Sequence, residues 1–154
     1  MTARTKTRYF GELSYAEEDI FAFAGGIPGF EEHTGFLFLD VPQFRPLVFM
    51  QSVRDEALCF IAIPVLAANP SYRLHLAPED LRFLGAPGVC ELRSEDLIAL
   101  ALVTIADGHA ATANLMSPVV LYPAQRSGRQ VIQSGSDYAF RHPLVLESES
   151  VSCL

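Results

Sequence analysis

With 154 residues, half of them apolar and 19 % charged, the chain is long enough for one domain with a real core and too apolar for a disordered linker. No apolar run reaches the roughly 18 residues of a membrane-spanning helix, and Arg4, Lys6 and Arg8 precede no apolar leader, so a cytoplasmic protein with no membrane partner is expected. Those three cations stand without an acid among residues 1–8, and the remaining eight basic and eighteen acidic side chains leave −10 on the rest; this disfavours direct nucleic-acid binding, which needs a basic face, and suits a basic protein partner.

Residues 5–10 read as a first strand, with Tyr9-Phe10 leading into a turn at Gly11-Glu12. Glu17-Glu18-Asp19 is a polar break before a short apolar strand at 20–23. That strand feeds Gly25-Gly26-Ile27-Pro28-Gly29-Phe30-Glu31, the stretch around which the rest is organised. Proline followed by glycine suits a type II turn, because proline presets φ at the first corner and glycine accepts φ > 0 at the second. The loop holds Ile27 and Phe30 either as plugs for the end of a core or as a stiff surface for a protein partner.

Residues 36–39 follow as a buried strand, and 47–52 and 58–63 form a hairpin whose second strand Pro64 either ends or marks as an edge. Residues 72–76 alternate apolar and polar, the mark of a half-exposed strand with His75 facing solvent. Pro78-Glu79-Asp80 opens a short helix that Gly85 closes. Residues 97–106 are continuously apolar, a central strand over their second half and ambiguous over their first. Asp107-Gly108 is a tight-turn pair from which 111–115 returns. Residues 119–122, 130–133 and 138–141 read as the last strands, with a turn at 125–128.

The fold expected is mainly β: one small antiparallel β-barrel-like domain over 1–146 with one or two short helices, and a frayed tail over 147–154.

Catalytic chemistry is hard to place. His33, His75, His109 and His142 are scattered without metal-ligand spacing, so no metal is expected. The acid pairs, such as Glu31-Glu32 and Glu79-Asp80, fall in turns or at a helix start, where solvated charge accounts for them. No nucleophile elbow, phosphate-binding loop or dinucleotide fingerprint is present, so no cofactor is expected. Cys59, Cys90 and Cys153 give no disulfide framework, and Cys59 lies in an apolar run where a thiol acts as a small hydrophobe. Asn114 and Gln130 lie in or beside apolar segments, where an amide must find partners.

Phe10-Gly11, residues 20–23 leading into Gly26-Ile27-Pro28-Gly29-Phe30-Glu31, Gln51-Ser52, Asn114-Leu115 with Pro118-Val119-Val120, and Gln130-Val131-Ile132 with Tyr138 and Arg141 occur in an order that resembles the FliW family of flagellar assembly factors, over about residues 5–145. The resemblance implies a β-barrel-like protein without enzymatic activity or cofactor. Its implied partners are flagellin and CsrA, the RNA-binding repressor of flagellin translation. Flagellin in the cytosol would occupy the protein and free CsrA to repress; exported flagellin would release it to bind CsrA and relieve repression. On that reading Ile27, Pro28, Phe30 and Glu31, with Asn114 and Gln130, are expected in the partner-binding surface. The competing class is a small-ligand-binding β-barrel or hydrolase whose site forms only in three dimensions.

Overall fold

Phe21, Phe23, Phe36, Met50, Ala62, Leu100, Val119 and Leu121 form one buried cluster, and the strands that carry them wrap around it. The computed structural model describes residues 2–106 and 108–144. Its strands are β1 (Thr2–Thr7), β2 (Gly11–Ala16), β3 (Phe21–Ala22), β4 (Gly35–Asp40), β5 (Val48–Ser52), β6 (Cys59–Pro64), β7 (Ile98–Thr104), β8 (Thr112–Ala113), β9 (Val119–Tyr122), β10 (Ser127–Gln130) and β11 (His142–Pro143). Two short helices, α1 (Val65–Ala68) and α2 (Pro78–Leu84), follow β6.

Seven strands close a barrel in the order β7-β6-β5-β4-β3-β10-β9 and back to β7. All neighbours are antiparallel except the short parallel contact of Ser127 with Ala22. Closure depends on β7, whose one edge pairs with β6. Its other edge pairs with β9 through Ile98, Ala99 and Leu100 and with β8 through Val103 and Thr104. The register sorts side chains by period two. Phe38 lies opposite Met50 and Met50 opposite Phe60, both inward; Leu39 lies opposite Phe49 and Phe49 opposite Ile61, both outward. Met50 and Phe36 are fully enclosed, and burying such side chains stabilises by about 1.5–3 kcal/mol each.

The outer wall is covered in two places by further apolar clusters. Ile63, Ala101 and Ala113 meet Val65, Tyr72 and Leu115, while Val120 and Val131 meet Leu84 of α2. Asp80 accepts from the Ala77 N–H at 3.0 Å and caps α2, and Gly85 closes it at φ 72°. Arg129 holds the helix against the barrel, its guanidinium over Phe83 at 4.0 Å and its Nε 3.3 Å from Asp80. The β1–β2 hairpin forms its own two-stranded sheet.

The barrel and short helices match expectation, and the strand runs at 36–39, 48–52, 59–63 and 119–122 fall where the sequence puts them. Four readings need correction. The first strand ends at Thr7 and a second begins at Gly11, because the Thr7 hydroxyl donates to Gly11 O (2.8 Å) and accepts from Phe10 N (2.9 Å), fixing the turn at 8–10. Residues 72–76 alternate in burial but join no strand ladder. Their backbone pairs with side chains instead: His75 N donates to Gln133 Oε1 and Gln133 Nε2 donates to His75 O, both at 2.8 Å, and Arg73 N donates to the Tyr138 hydroxyl. The strand expected at 130–133 runs over Ser127–Gln130, since Arg126 turns the chain at φ 49° and Ser127 already faces Tyr122. The strand expected at 138–141 lies at His142–Pro143, while Tyr138 stacks on Tyr72 with ring centroids 4.2 Å apart. The ambiguous half of 97–106 is strand from Ile98. Asp107 and the tail 147–154 lie outside the described residues.

Candidate protein-binding site

The corner after β3 forms the turn that the sequence specifies. Phe30 N donates to Ile27 O at 2.7 Å, and Gly29 takes φ 89° at the second corner. Gly26 is fixed for a different reason: at φ 71°, a Cβ there would sit 2.7 Å from the backbone of Phe30 and Glu31. The next residue, Ile27, lies in the barrel core, 2 % exposed. Pro28, Phe30 and Glu31 face solvent. Phe30 lies edge-on to Phe60 at 5.1 Å, so one side of its ring is anchored and the other open.

Asn114 and Gln130 come together at another turn. Asn114 Oδ1 accepts from Met116 N and Ser117 N, and Gln130 Nε2 donates to Ser117 O at 2.9 Å. Both amides are half-buried and spent on the chain that delivers Pro118 into β9. Gln51 and Ser52 shape the β5–β6 turn likewise, the Ser52 hydroxyl accepting from Arg54 N and Asp55 N at 3.1 Å. Of the six residues read as contact residues, Ile27 is enclosed and three stand exposed on the corner.

A larger feature lies on the outer wall. Phe49 points outward from β5 and forms the floor of a groove of about 580 Å³ lined by Tyr9, Phe10, Phe44, Leu47, Cys59, Ile61 and Ile105. Phe10 meets Phe49 edge-on at 5.1 Å and Phe44 meets it edge-on at 5.9 Å. Tyr9 and Ile105 are each 61 % exposed and Phe44 50 %. The walls are held by polar contacts outside the groove. Arg8 N donates to Glu56 O at 2.9 Å and ties down the hairpin tip. Arg45 donates from Nε and Nη2 to the Asp40 carboxylate and braces the loop after β4. The Arg45 guanidinium holds the Asp40 carboxyl below its ordinary range.

The lining of this groove is almost wholly apolar and aromatic. Cys59 is its one nucleophile, and burial pushes that thiol up to about 11, so at neutral pH it is protonated and unreactive. Among the described residues no cluster of three histidine, cysteine or acidic side chains could hold a metal ion. Exposed aromatics gathered around a concave apolar floor are what a protein anchor fills. A second apolar recess, beside α1 and lined by Leu66, Val89 and Ile98 among others, has no phenylalanine or tyrosine in its lining. No local sequence pattern marks the groove, because its residues come from five separate segments. The available signal was Tyr9-Phe10, two aromatics placed in a turn.

Comparison with known proteins gives one consistent result. The family model described as FliW protein matches residues 4–144. The flagellar assembly factor FliW of Syntrophomonas wolfei is 34 % identical over 134 residues, covering 87 % of this chain and 83 % of that one. That of Geobacillus kaustophilus is 34 % identical over 142 residues, covering 92 % and 94 %. A crystal structure of the flagellar assembly factor FliW superposes with a TM-score of 0.83 at 32 % identity, covering 94 % of this chain and 99 % of its own.

Proposed function

This chain belongs to the FliW family, and from that premise we propose that it is a flagellar assembly factor acting in the cytoplasm by binding alone, with flagellin and the translational regulator CsrA as alternating partners. Flagellin bound to it leaves CsrA free to repress flagellin translation. Flagellin exported leaves it free to bind CsrA and lift that repression.

The observation that carries this reading is the apolar groove over Phe49. An amphipathic helix offers apolar side chains at i, i+3 and i+4, and lays them into such a groove. The chain-terminal segments of flagellin are helical and expose apolar faces before the filament forms. Tyr9, Phe44 and Phe49 are the aromatic anchors such a helix would cover. The net charge of −7 favours encounter with a basic RNA-binding partner, mostly through the association rate. Pro28, Phe30 and Glu31 on the stiff corner supply a second exposed contact element, one that pays little ordering entropy because its turn is already set.

Titration calorimetry with CsrA, first alone and then with the protein preloaded with flagellin, tests the exchange. Binding that disappears on preloading is the expected result. Binding to neither partner overturns the proposal, and simultaneous binding of both rejects the exchange while keeping the partners.

A further inference from the structure

On the other side of the β1–β2 hairpin, a recess of about 250 Å³ opens between β2 and β4, walled by Tyr15, Phe21, Leu37 and Leu39 and ended by Arg126 and Asp19. Arg126 is unusual in three independent ways. It is the one non-glycine residue with positive φ among the described residues, at φ 49°, a conformation that bulky side chains adopt at a cost and that concentrates at functional sites. Its guanidinium lies on the Phe21 ring at 4.0 Å, which fixes its plane. Its Nε is buried without a hydrogen-bond partner, which leaves the Nη pair as the donors able to meet a ligand, and among the described residues no carboxylate comes within ion-pair distance of the guanidinium. Arg129, by contrast, reaches Asp80. An arginine cannot shed its proton, so this half-buried cation is held ready for an acceptor that the chain does not supply.

We propose that the Arg126 recess is a binding site for a monocarboxylate on a short apolar stem. The fork of the guanidinium matches a carboxylate in bidentate geometry, and the aliphatic and aromatic walls take the stem. One cation with Asp19 in the same lining excludes a dianion such as phosphate, and the recess is too small for a drug-sized ligand. Asp19 is already engaged, its Oδ2 accepting from Ala16 N at 2.8 Å. The carboxylate arrives either as a free short-chain acid or as a glutamate side chain of a bound polypeptide. The proposal rests on this geometry and not on the flagellin and CsrA reading.

The test is titration of the intact protein, followed by amide chemical shifts, with hexanoate, with neutral hexanamide and with a capped Leu-Glu-Leu peptide. Saturable shifts around Tyr15, Leu39 and Arg126 with hexanoate assign the site to free acids; saturation by the peptide alone assigns it to a side chain. Arg126→Gly keeps the left-handed backbone while removing the guanidinium, and should weaken binding about tenfold or more. Arg126→Lys keeps the charge without the fork; it should bind in between and serves if the glycine variant does not fold. Asp19→Asn should tighten binding by removing a like charge. Equal binding of hexanamide, unchanged binding in Arg126→Gly, or saturation by neither carboxylate overturns the proposal.

Discussion

Gly25 and Gly26 are adjacent, with φ of 77° and 71°, yet the structure predicts unequal costs for replacing them with alanine. A Cβ at Gly25 meets nothing within 4 Å, so Gly25→Ala suffers only the left-handed strain of an L-residue, about 1–2 kcal/mol. Gly26→Ala carries the same strain and adds a collision at 2.7 Å with Phe30 O and Glu31 Cα, both backbone atoms that cannot swing aside. Relief requires opening the corner. That breaks the bond from Gly26 N to Phe23 O, worth about 1 kcal/mol, and draws Ile27 partly out of the core, at about another 1 kcal/mol. The expected loss is about 3–4 kcal/mol, against about 1–2 for its neighbour. For a chain of this size each kcal/mol moves the melting temperature by about 2–4 °C. Thermal melts followed by circular dichroism should therefore place Gly26→Ala well below Gly25→Ala. Two variants melting together would refute the account of what holds the corner.

Three further outcomes follow from side chains acting in place of backbone or held away from water. Gln133→Leu orphans both His75 N and His75 O, and should cost about 2–4 kcal/mol, with faster hydrogen exchange at the His75 amide than at Phe36. Burial, with Tyr138 stacked alongside, pushes the Tyr72 phenol up to about 12 from 10, so the fold favours its neutral form. The stability this contributes is complete below pH 10 and is lost as pH rises through about 12, and urea melts across that range should show a fall that Tyr72→Phe abolishes. Cys59, raised to about 11, should react with iodoacetamide at pH 8 far more slowly than exposed Cys90, as read by peptide mass spectrometry.

Much of the barrel was legible because its strands are short apolar runs between turn residues. Phe36 to Leu39, Val48 to Ser52 and Val119 to Tyr122 have no exposed residue, each being buried or half-buried, and such runs have few alternatives to a β wall. The corner was legible for a local reason, since Pro28-Gly29 leaves the backbone little choice. The sequence suggests a turn at Gly11-Glu12 where β2 in fact begins, although Glu12-Leu13-Ser14-Tyr15 carries the alternation that marks a strand. Residues 72–76 show how a correct pattern can yield a wrong element: the burial alternates, yet the partner is the amide of Gln133, distant in sequence. The groove was invisible for the same reason on a larger scale. Tyr9, Phe49 and Ile105 meet only after the barrel closes, and no local period records that meeting.

On the proposed function, the groove over Phe49 is where flagellin binds. Tyr9→Ser with Ile105→Ser strips two exposed side chains from its rim without touching the barrel core. Calorimetric titration of flagellin into this double variant and into the unaltered protein, with melting temperatures measured alongside, is the most direct test. The expected result is an affinity reduced by about tenfold or more, as for loss of anchor residues, at a nearly unchanged melting temperature. Undiminished flagellin binding by the folded double variant would contradict it.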